Sequence, residues 1–333
     1  MGLILMIMMM VSALSACGRS RADVWMPFSE YTQKERITSG RSSIIEHTAF
    51  SDRIPSFASD FAVFEGDVTS RKFVADQCTA ALLINADTNE VLYADNAFEQ
   101  RYPASITKLM TAYVALKYMS ADSYVVVDKE ALATITDPLA VMLGVEGGDT
   151  MTLDQALRLM LLSSYNDVAV AVGNQVGNGS VDSFMDLVNT EALKLGCTGT
   201  HFTNPSGLHD ADHYTTAYDL YLMFKEFIKD PYLLEIIQSK EYSTSITRKD
   251  GSSKEVSSSS TNQFFRGNYS APANMVVVGG KTGTTDEAGR CLMIMVRDKQ
   301  SVPYIAIVLG AGTMDDLYGE MAEMLTLCDL SVN

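Results

Sequence analysis

The chain has 333 residues, 47% of them apolar, and a formal net charge of −16. That length and composition can bury one large core or two modest ones. The acidity excludes a nucleic-acid binder, which needs clustered Lys and Arg to meet phosphates; it also disfavours docking of a bare protein surface on anionic lipid, and otherwise calls for nothing beyond solubility.

The first segment departs from this composition. GLILMIMMMVSAL, residues 2–14, is an apolar run followed by Ser15, Ala16 and Cys17, and it is shorter than the ~20 residues a membrane-spanning helix needs. An apolar run closed by small residues has the pattern of an export signal, although no Lys or Arg precedes it. Leu14-Ser15-Ala16-Cys17 also resembles the bacterial lipobox, in which the cysteine is lipidated and becomes the new N-terminus. Residues 1–16 are therefore expected to be a signal peptide and Cys17 a lipidation site. The mature protein is expected on the extracytoplasmic face of the bacterial cell membrane, held by N-terminal lipid, where more than one acyl chain is needed for a stable anchor.

Residues 17–74, rich in Ser, Thr and charge, are expected to form the lipidated N-terminus and a tether that becomes ordered towards its end; 75–333 form one catalytic domain. Cys78, Cys197, Cys291 and Cys328 are widely spaced among apolar neighbours, which favours buried thiols over disulfides. No C-x-x-C is present to suggest a cysteine zinc site.

From Cys78 the periodicity tightens. TAALLINAD and EVLYADN read as a hairpin joined by polar residues. RYPASITKLMTAYVALKYM, residues 101–119, opens an apolar helix with Ser105 and Lys108 three positions apart. TLDQALRLMLLSSYNDVAVAVGNQVG is helical with a cap at Thr152, and SVDSFMDLVNTEALKLG is a helix stopped by Gly196. TTAYDLYLMFKEFIKD is a third amphipathic helix, ended by Pro231. EYSTSITRKDGSSKEVSSS surrounds Asp250-Gly251, the signature of a hairpin with a two-residue turn. NMVVVGGKTG, GRCLMIMVRD and VPYIAIVLGA are strands, and TMDDLYGEMAEMLTLCDL closes the chain as a helix. Strands, helices, then strands again predict an α/β (α+β) fold with an antiparallel sheet completed by both ends of the chain and a helical region inserted between them.

Three short motifs carry chemistry. Ser105-Ile-Thr-Lys108 sets a hydroxyl beside an amine on one helix face, at a helix start that lends positive potential. Alone, the pair reads equally as a cap and a snorkelling lysine. Ser164-Tyr-Asn166 lies where a helix meets a turn, as capping residues often do. An apolar strand then delivers Lys281-Thr-Gly-Thr284, a cation, hydroxyls and a position without a side chain, where a substrate backbone can approach.

Together and in this order, S-x-x-K, S-x-N and K-T-G resemble the active-site signature of penicillin-binding proteins and serine β-lactamases. The resemblance spans roughly residues 78–328, through RYPASITKLMTAYVAL, GDTMTLDQALRLMLLSSYNDVAVAV, HFTNPSGLHDADHYTTAYDLYLM and KTGTTDEAGRCL. The chain is similar to the D-alanyl-D-alanine carboxypeptidase family of low-molecular-mass penicillin-binding proteins, and the resemblance implies a β-lactamase/transpeptidase-like fold.

The activity it implies is removal of the terminal D-alanine from peptidoglycan stem peptides through an acyl-enzyme on Ser105, with acylation by β-lactam antibiotics and no cofactor or metal. By the same resemblance Lys108 is the general base, and Ser164 and Lys281 pass the proton to the departing D-alanine. Asn166 holds the substrate amide, the N–H groups of Ser105 and Thr284 form the oxyanion hole, and Thr282 and Thr284 beside Gly283 and Lys281 receive the terminal carboxylate. Arg266 and Arg290 are possible helpers. For a lysine to serve as base, burial and a neighbouring cation must lower its pKa; Lys281 is the expected neighbour of Lys108.

The sequence departs from the family at Tyr165, where Gly or Ala is usual, so the ring is expected to line or narrow the cleft. Many members of the family add a β-rich second domain and an amphipathic C-terminal membrane helix; neither is expected here, and lipid on Cys17 is expected to substitute for that anchor. His209 and His213 stand four apart, but no H-E-x-x-H is present, and the resemblance makes this stretch a loop rather than a zinc site. Gly147-Gly148 and Gly279-Gly280 punctuate turns and strands, since no phosphate-loop pattern occurs. Alternatives are endopeptidase or transpeptidase action on cross-links, a β-lactamase, and a non-catalytic penicillin sensor. Against the β-lactamase, the chain lacks the E-x-x-L-N motif of the class A enzymes.

Overall fold

The computed structural model describes residues 60–330. The expected signal peptide and Cys17 lie outside the described residues. Residues 60–74, at the end of the expected tether, are already packed: Ala62 and Phe73 are buried and Val68 bridges Ala94.

A five-stranded antiparallel sheet is built from β1 (Ala80–Asn85), β2 (Val91–Asp95), β7 (Val276–Thr285), β8 (Gly289–Arg297) and β9 (Pro303–Ala311). The order β2-β1-β9-β8-β7 sets β1 against β9, so both ends of the described chain complete one sheet, as the strand–helix–strand order predicts. The strands read as unbroken apolar runs because both faces are covered. Leu82, Ile84, Met293, Ile305 and Ile307 meet the helical region, while Leu83, Leu292, Ile294, Ala306 and Val308 meet the closing helix. The period of two along a strand sorts one run into two cores.

The helical region comprises α1 (Lys108–Tyr118), α2 (Leu153–Ser163), α3 (Asn166–Val176), α4 (Val181–Lys194), α5 (Ala217–Phe227) and α6 (Pro231–Gln238); α7 (Met314–Leu325) closes the chain. A capping box between Thr152 and Gln155 starts α2, as Thr152 predicts. Pro231 does more than end a helix. It stands at the first turn of α6, where its missing N–H costs nothing, and the Asp230 side chain accepts from Tyr232 and Leu233.

A second, four-stranded sheet joins β3 (Tyr124–Val126), β4 (Thr150–Thr152), β5 (Glu241–Thr247) and β6 (Ser253–Ser259) in that order. The short β3 and β4 carry too few residues to show a period. The β5–β6 hairpin has a three-residue loop rather than the expected two. Arg248 and Ser252 still pair, and Gly251 takes the left-handed conformation at φ 84° that ends such a loop. Among the described residues no disulfide forms: Cys197, Cys291 and Cys328 are buried thiols and Cys78 is half-buried.

Candidate active site

Ser105 lies in a 3-10 turn, Ala104–Thr107, that runs directly into α1. Tight i,i+3 geometry at a helix start brings Ser105 and Lys108 onto one side. The turn is held under strain: Ala104 has φ 48°, unusual for a residue with a side chain. Behind it, Gly207 (φ 78°) approaches so closely that a Cβ there would lie 1.9 Å from the Ala104 carbonyl oxygen. In front, a Cβ at Gly283 would lie 2.7 Å from the Pro103 carbonyl oxygen and 3.2 Å from the Ser105 nitrogen. The glycine of K-T-G is thus what lets β7 pass against the serine turn.

Lys108 is completely buried. Its Nζ is 2.9 Å from Ser105 Oγ, 2.8 Å from Asn166 Oδ1 and 2.5 Å from the Ser206 carbonyl oxygen. No carboxylate is among these partners. Burial first, and then the charge of Lys281, hold the Lys108 amine well below its ordinary range, with Asp167 pulling the other way. Lys281, buried on β7, donates to Ser164 Oγ at 2.9 Å and the Thr282 carbonyl at 3.0 Å. Burial lowers its pKa to about 7.

The apolar run containing S-x-N folds as two helices because Ser164 takes the left-handed conformation (φ 64°) between α2 and α3. That turn delivers Ser164 to Lys281 and Asn166 to Lys108. One cleft of about 790 Å³ takes in Ser105, Asn166 and Thr284. Thr284 is exposed there, and Thr282 is half-buried, its hydroxyl 2.6 Å from that of Thr261. Tyr165, between Ser164 and Asn166, is half-buried and its hydroxyl donates to the Ser257 carbonyl on β6 at 3.4 Å.

Arg266 donates through Nε to the Ser260 carbonyl at 2.8 Å. Arg290 pairs across the sheet with Thr284 and lines a neighbouring cavity of about 620 Å³. The two histidines considered for zinc have separate surroundings. His209 packs edge-on against Tyr102, while His213 is buried 2.8 Å from Thr107 Oγ1. Among the described residues no group of three or more His, Cys, Asp or Glu is placed to hold a metal.

Sequence reasoning missed three parts of this site. The Ser206 carbonyl is a backbone group with no side-chain signature. Asn204 shapes the loop that presents it, its Oδ1 accepting from Ser206, Gly207 and Leu208; the Asn-Pro-Ser-Gly run is the signal that marks such a turn. His213 ties that loop to the serine turn. Thr107 Oγ1 donates to the Ala104 carbonyl, so it accepts from His213 Nε2, while Nδ1 accepts from the Thr203 N–H. Burial lowers the pKa of this imidazole to about 3, and it is held neutral with its proton on Nε2.

Known proteins resemble this chain in sequence and in fold. A family model described as D-alanyl-D-alanine carboxypeptidase (peptidase S11) matches residues 68–313. The D-alanyl-D-alanine carboxypeptidase DacF of Bacillus subtilis is 32% identical, over 80% of this chain and 65% of its own. DacC of Escherichia coli is also 32% identical, over 74% of this chain and 60% of its own. The chain therefore spans a little under two thirds of the length of these relatives. Among solved structures, the Streptomyces K15 DD-transpeptidase aligns with TM-score 0.70 and 25% identity, covering 79% of this chain and 100% of its own. Penicillin-binding protein D2 of Listeria monocytogenes, in its cefotaxime-bound form, aligns with TM-score 0.61 and 27% identity, over 76% of this chain and 98% of its own. By the extent of the family match and the fold it shares with these penicillin-binding proteins, the chain belongs to the D-alanyl-D-alanine carboxypeptidase family of serine peptidases.

Proposed function

We propose that the protein is a serine-type D-Ala-D-Ala carboxypeptidase that shortens peptidoglycan stem peptides by one D-alanine and is acylated by β-lactams at Ser105. One observation carries this reading. A neutral lysine amine has two N–H donors and one lone pair, and Lys108 meets two groups that only accept, Asn166 Oδ1 and the Ser206 carbonyl. The lone pair is left for the Ser105 hydroxyl, which must donate to it. That is the geometry of a general base on a nucleophile, with the base kept neutral by burial.

In the proposed sequence the Ser105 proton passes to Lys108 as Oγ bonds to the carbonyl carbon of the penultimate D-alanine. The oxyanion is held by the N–H groups of Ser105 and Thr284; losing such a donor costs ~10²–10³ in rate. The C–N bond breaks, and the departing D-alanine amine takes a proton through Ser164 and Lys281. Asn166 has its Oδ1 committed to Lys108, which leaves Nδ2 to donate to a substrate carbonyl. Thr284, Thr282 and the partly protonated Lys281 receive the terminal carboxylate. Water then cleaves the ester. The DD-transpeptidase among the structural neighbours favours a second use of the same ester, its transfer to an amine of another stem peptide.

Export and attachment through lipid on Cys17 complete the proposal, supported by the run at residues 2–14 and the small residues before Cys17. Cys17→Ala is expected to move the protein from the detergent phase to the aqueous phase in a partition assay. Retention in the detergent phase refutes the lipid anchor. For the site, mass spectrometry after incubation with a β-lactam is expected to find the adduct on the peptide containing Ser105; an adduct elsewhere refutes the assignment.

A further inference from the structure

The loop between the short helix at Lys129–Leu132 and β4 forms one wall of the cleft through Ile135, Leu139, Ala140 and Val141. Leu139 is 79% exposed and Val141 is 51% exposed, so the cleft-lining part of this loop is held only weakly by burial, whereas Val145 further on is buried in the core. Polar groups add fixation on both sides of one peptide segment. On the inner side Asp167, fully buried, accepts the N–H of Leu143 at 3.0 Å, Gly144 at 2.8 Å and Val145 at 3.3 Å. On the outer side Lys254 of β6 donates to the Leu143 carbonyl at 3.2 Å and the Gly144 carbonyl at 3.1 Å. Gly144 takes φ 75°, the left-handed conformation that turns consecutive N–H groups toward one acceptor. Next to Asp167, the Asn166 N–H donates to the Val141 carbonyl at 2.8 Å and its Oδ1 accepts from Lys108. One helix start therefore holds both the base and the wall.

We propose that Asp167 is a positioning residue of the active site, acting with Lys254 as a two-sided clamp on Leu143-Gly144 that fixes the cleft wall relative to Ser105 and Asn166. Its effect on turnover rests on the carboxypeptidase reading; its effect on the loop does not. A carboxylate can take three N–H groups, whereas the amide of Asn offers one acceptor oxygen and an opposing NH₂. Loosening the wall displaces groups around the substrate, and misplacement on the scale of 1 Å costs as much as ~10² in rate.

Asp167 carries charge as well as shape. The groups facing Lys108 are the neutral Ser105 and Asn166, the second amine Lys281, the neutral His213 by way of Thr107, and Asp167. Asp167 is the anion that raises the Lys108 pKa. Removing its charge lowers that pKa further and moves the acid limb of acylation to lower pH. A purely structural role does not shift the limb.

The test compares Asp167→Asn, Lys254→Met and the double variant by amide hydrogen exchange and by kcat/KM for D-alanine release. Expected are fast exchange at Leu143, Gly144 and Val145 in Asp167→Asn, and a kcat/KM loss of roughly 10²-fold with the acid limb displaced downward. Lys254→Met, a partly exposed site, is expected to lose roughly threefold, and the double variant no more than Asp167→Asn alone, because both residues hold one peptide. Protected amides in Asp167→Asn, unchanged kcat/KM in an active protein, or single losses that multiply in the double variant overturn the clamp. If Asp167→Asn does not fold, Lys254→Met decides alone: faster exchange at 143–145 supports the clamp and unchanged exchange refutes it. A wild type without D-alanine release refutes the carboxypeptidase reading, and the exchange data still judge the clamp.

Discussion

Lys108 Nζ and Ser105 Oγ stand 2.9 Å apart, and Lys108 has no carboxylate partner to keep it charged. Burial and the nearby Lys281 disfavour the charged form more than Asp167 favours it, so the amine's pKa is lowered and its neutral form can accept the serine proton. The opening of α1 thus sets a base beside a nucleophile, and no histidine is among the hydrogen-bond partners of Lys108.

The pH dependence of acylation follows from the two buried amines. Lys108 must be neutral and its pKa is well below the ordinary 10.5, which sets the ascending limb. Lys281, at about 7, must keep its proton to bind the carboxylate and serve the leaving group, so the rate falls as pH rises through that value. A bell-shaped profile in stopped-flow acylation is expected, its two limbs belonging to a coupled pair. Lys281→Arg, which cannot lose its proton near neutrality, is expected to abolish the descending limb; Lys108→Ala is expected to lose ~10²–10⁴ in rate together with the ascending limb. A descending limb retained in Lys281→Arg contradicts the assignment.

Gly207 tests the strain behind the nucleophile. A Cβ would stand 1.9 Å from the Ala104 carbonyl oxygen and φ is 78°, so Gly207→Ala must push the serine turn forward. A loss of roughly 10²-fold in β-lactam acylation is expected, with a lowered melting temperature. Acylation at the wild-type rate shows that the turn has room that its geometry denies.

His213 predicts an acid instability. Its pKa is about 3 in the folded chain against 6.5 ordinarily, so between these values the unfolded chain binds the extra proton. Stability from this group is complete above pH 6.5 and is lost as pH falls towards 3, on the order of 5 kcal/mol in all. Urea unfolding at pH 7 and pH 4 is expected to show a smaller drop in His213→Gln than in the wild type. Equal drops contradict the buried neutral imidazole.

Much of this was legible in the sequence because it rests on side chains with fixed spacing. Ser105 and Lys108 touch because three residues make one turn, and the five strands of the main sheet were visible as apolar runs. Less legible were features that depend on backbone or on distant partners. The Ser206 carbonyl has no side chain to announce it, and Asp167 looked like one more helix-capping acid beside Asn166. Lys254 lies in a serine-rich hairpin with no apolar pattern, yet reaches Leu143 across 111 positions. The bond from the Tyr165 hydroxyl to the Ser257 carbonyl on β6 is equally hidden in the sequence, because the partner is a backbone group 92 positions away. Pro231 read as a stop, and only Asp230 before it marks the start of α6.

The most direct measurement is free D-alanine released from a diacyl-Lys-D-Ala-D-Ala peptide by residues 18–333, with Ser105→Ala alongside. Release by the wild type that vanishes in the variant is the predicted result, fixing both the reaction and its nucleophile. Covalent uptake of a β-lactam at Ser105 without any D-alanine release contradicts the carboxypeptidase account and leaves a penicillin sensor or an enzyme of cross-links in its place.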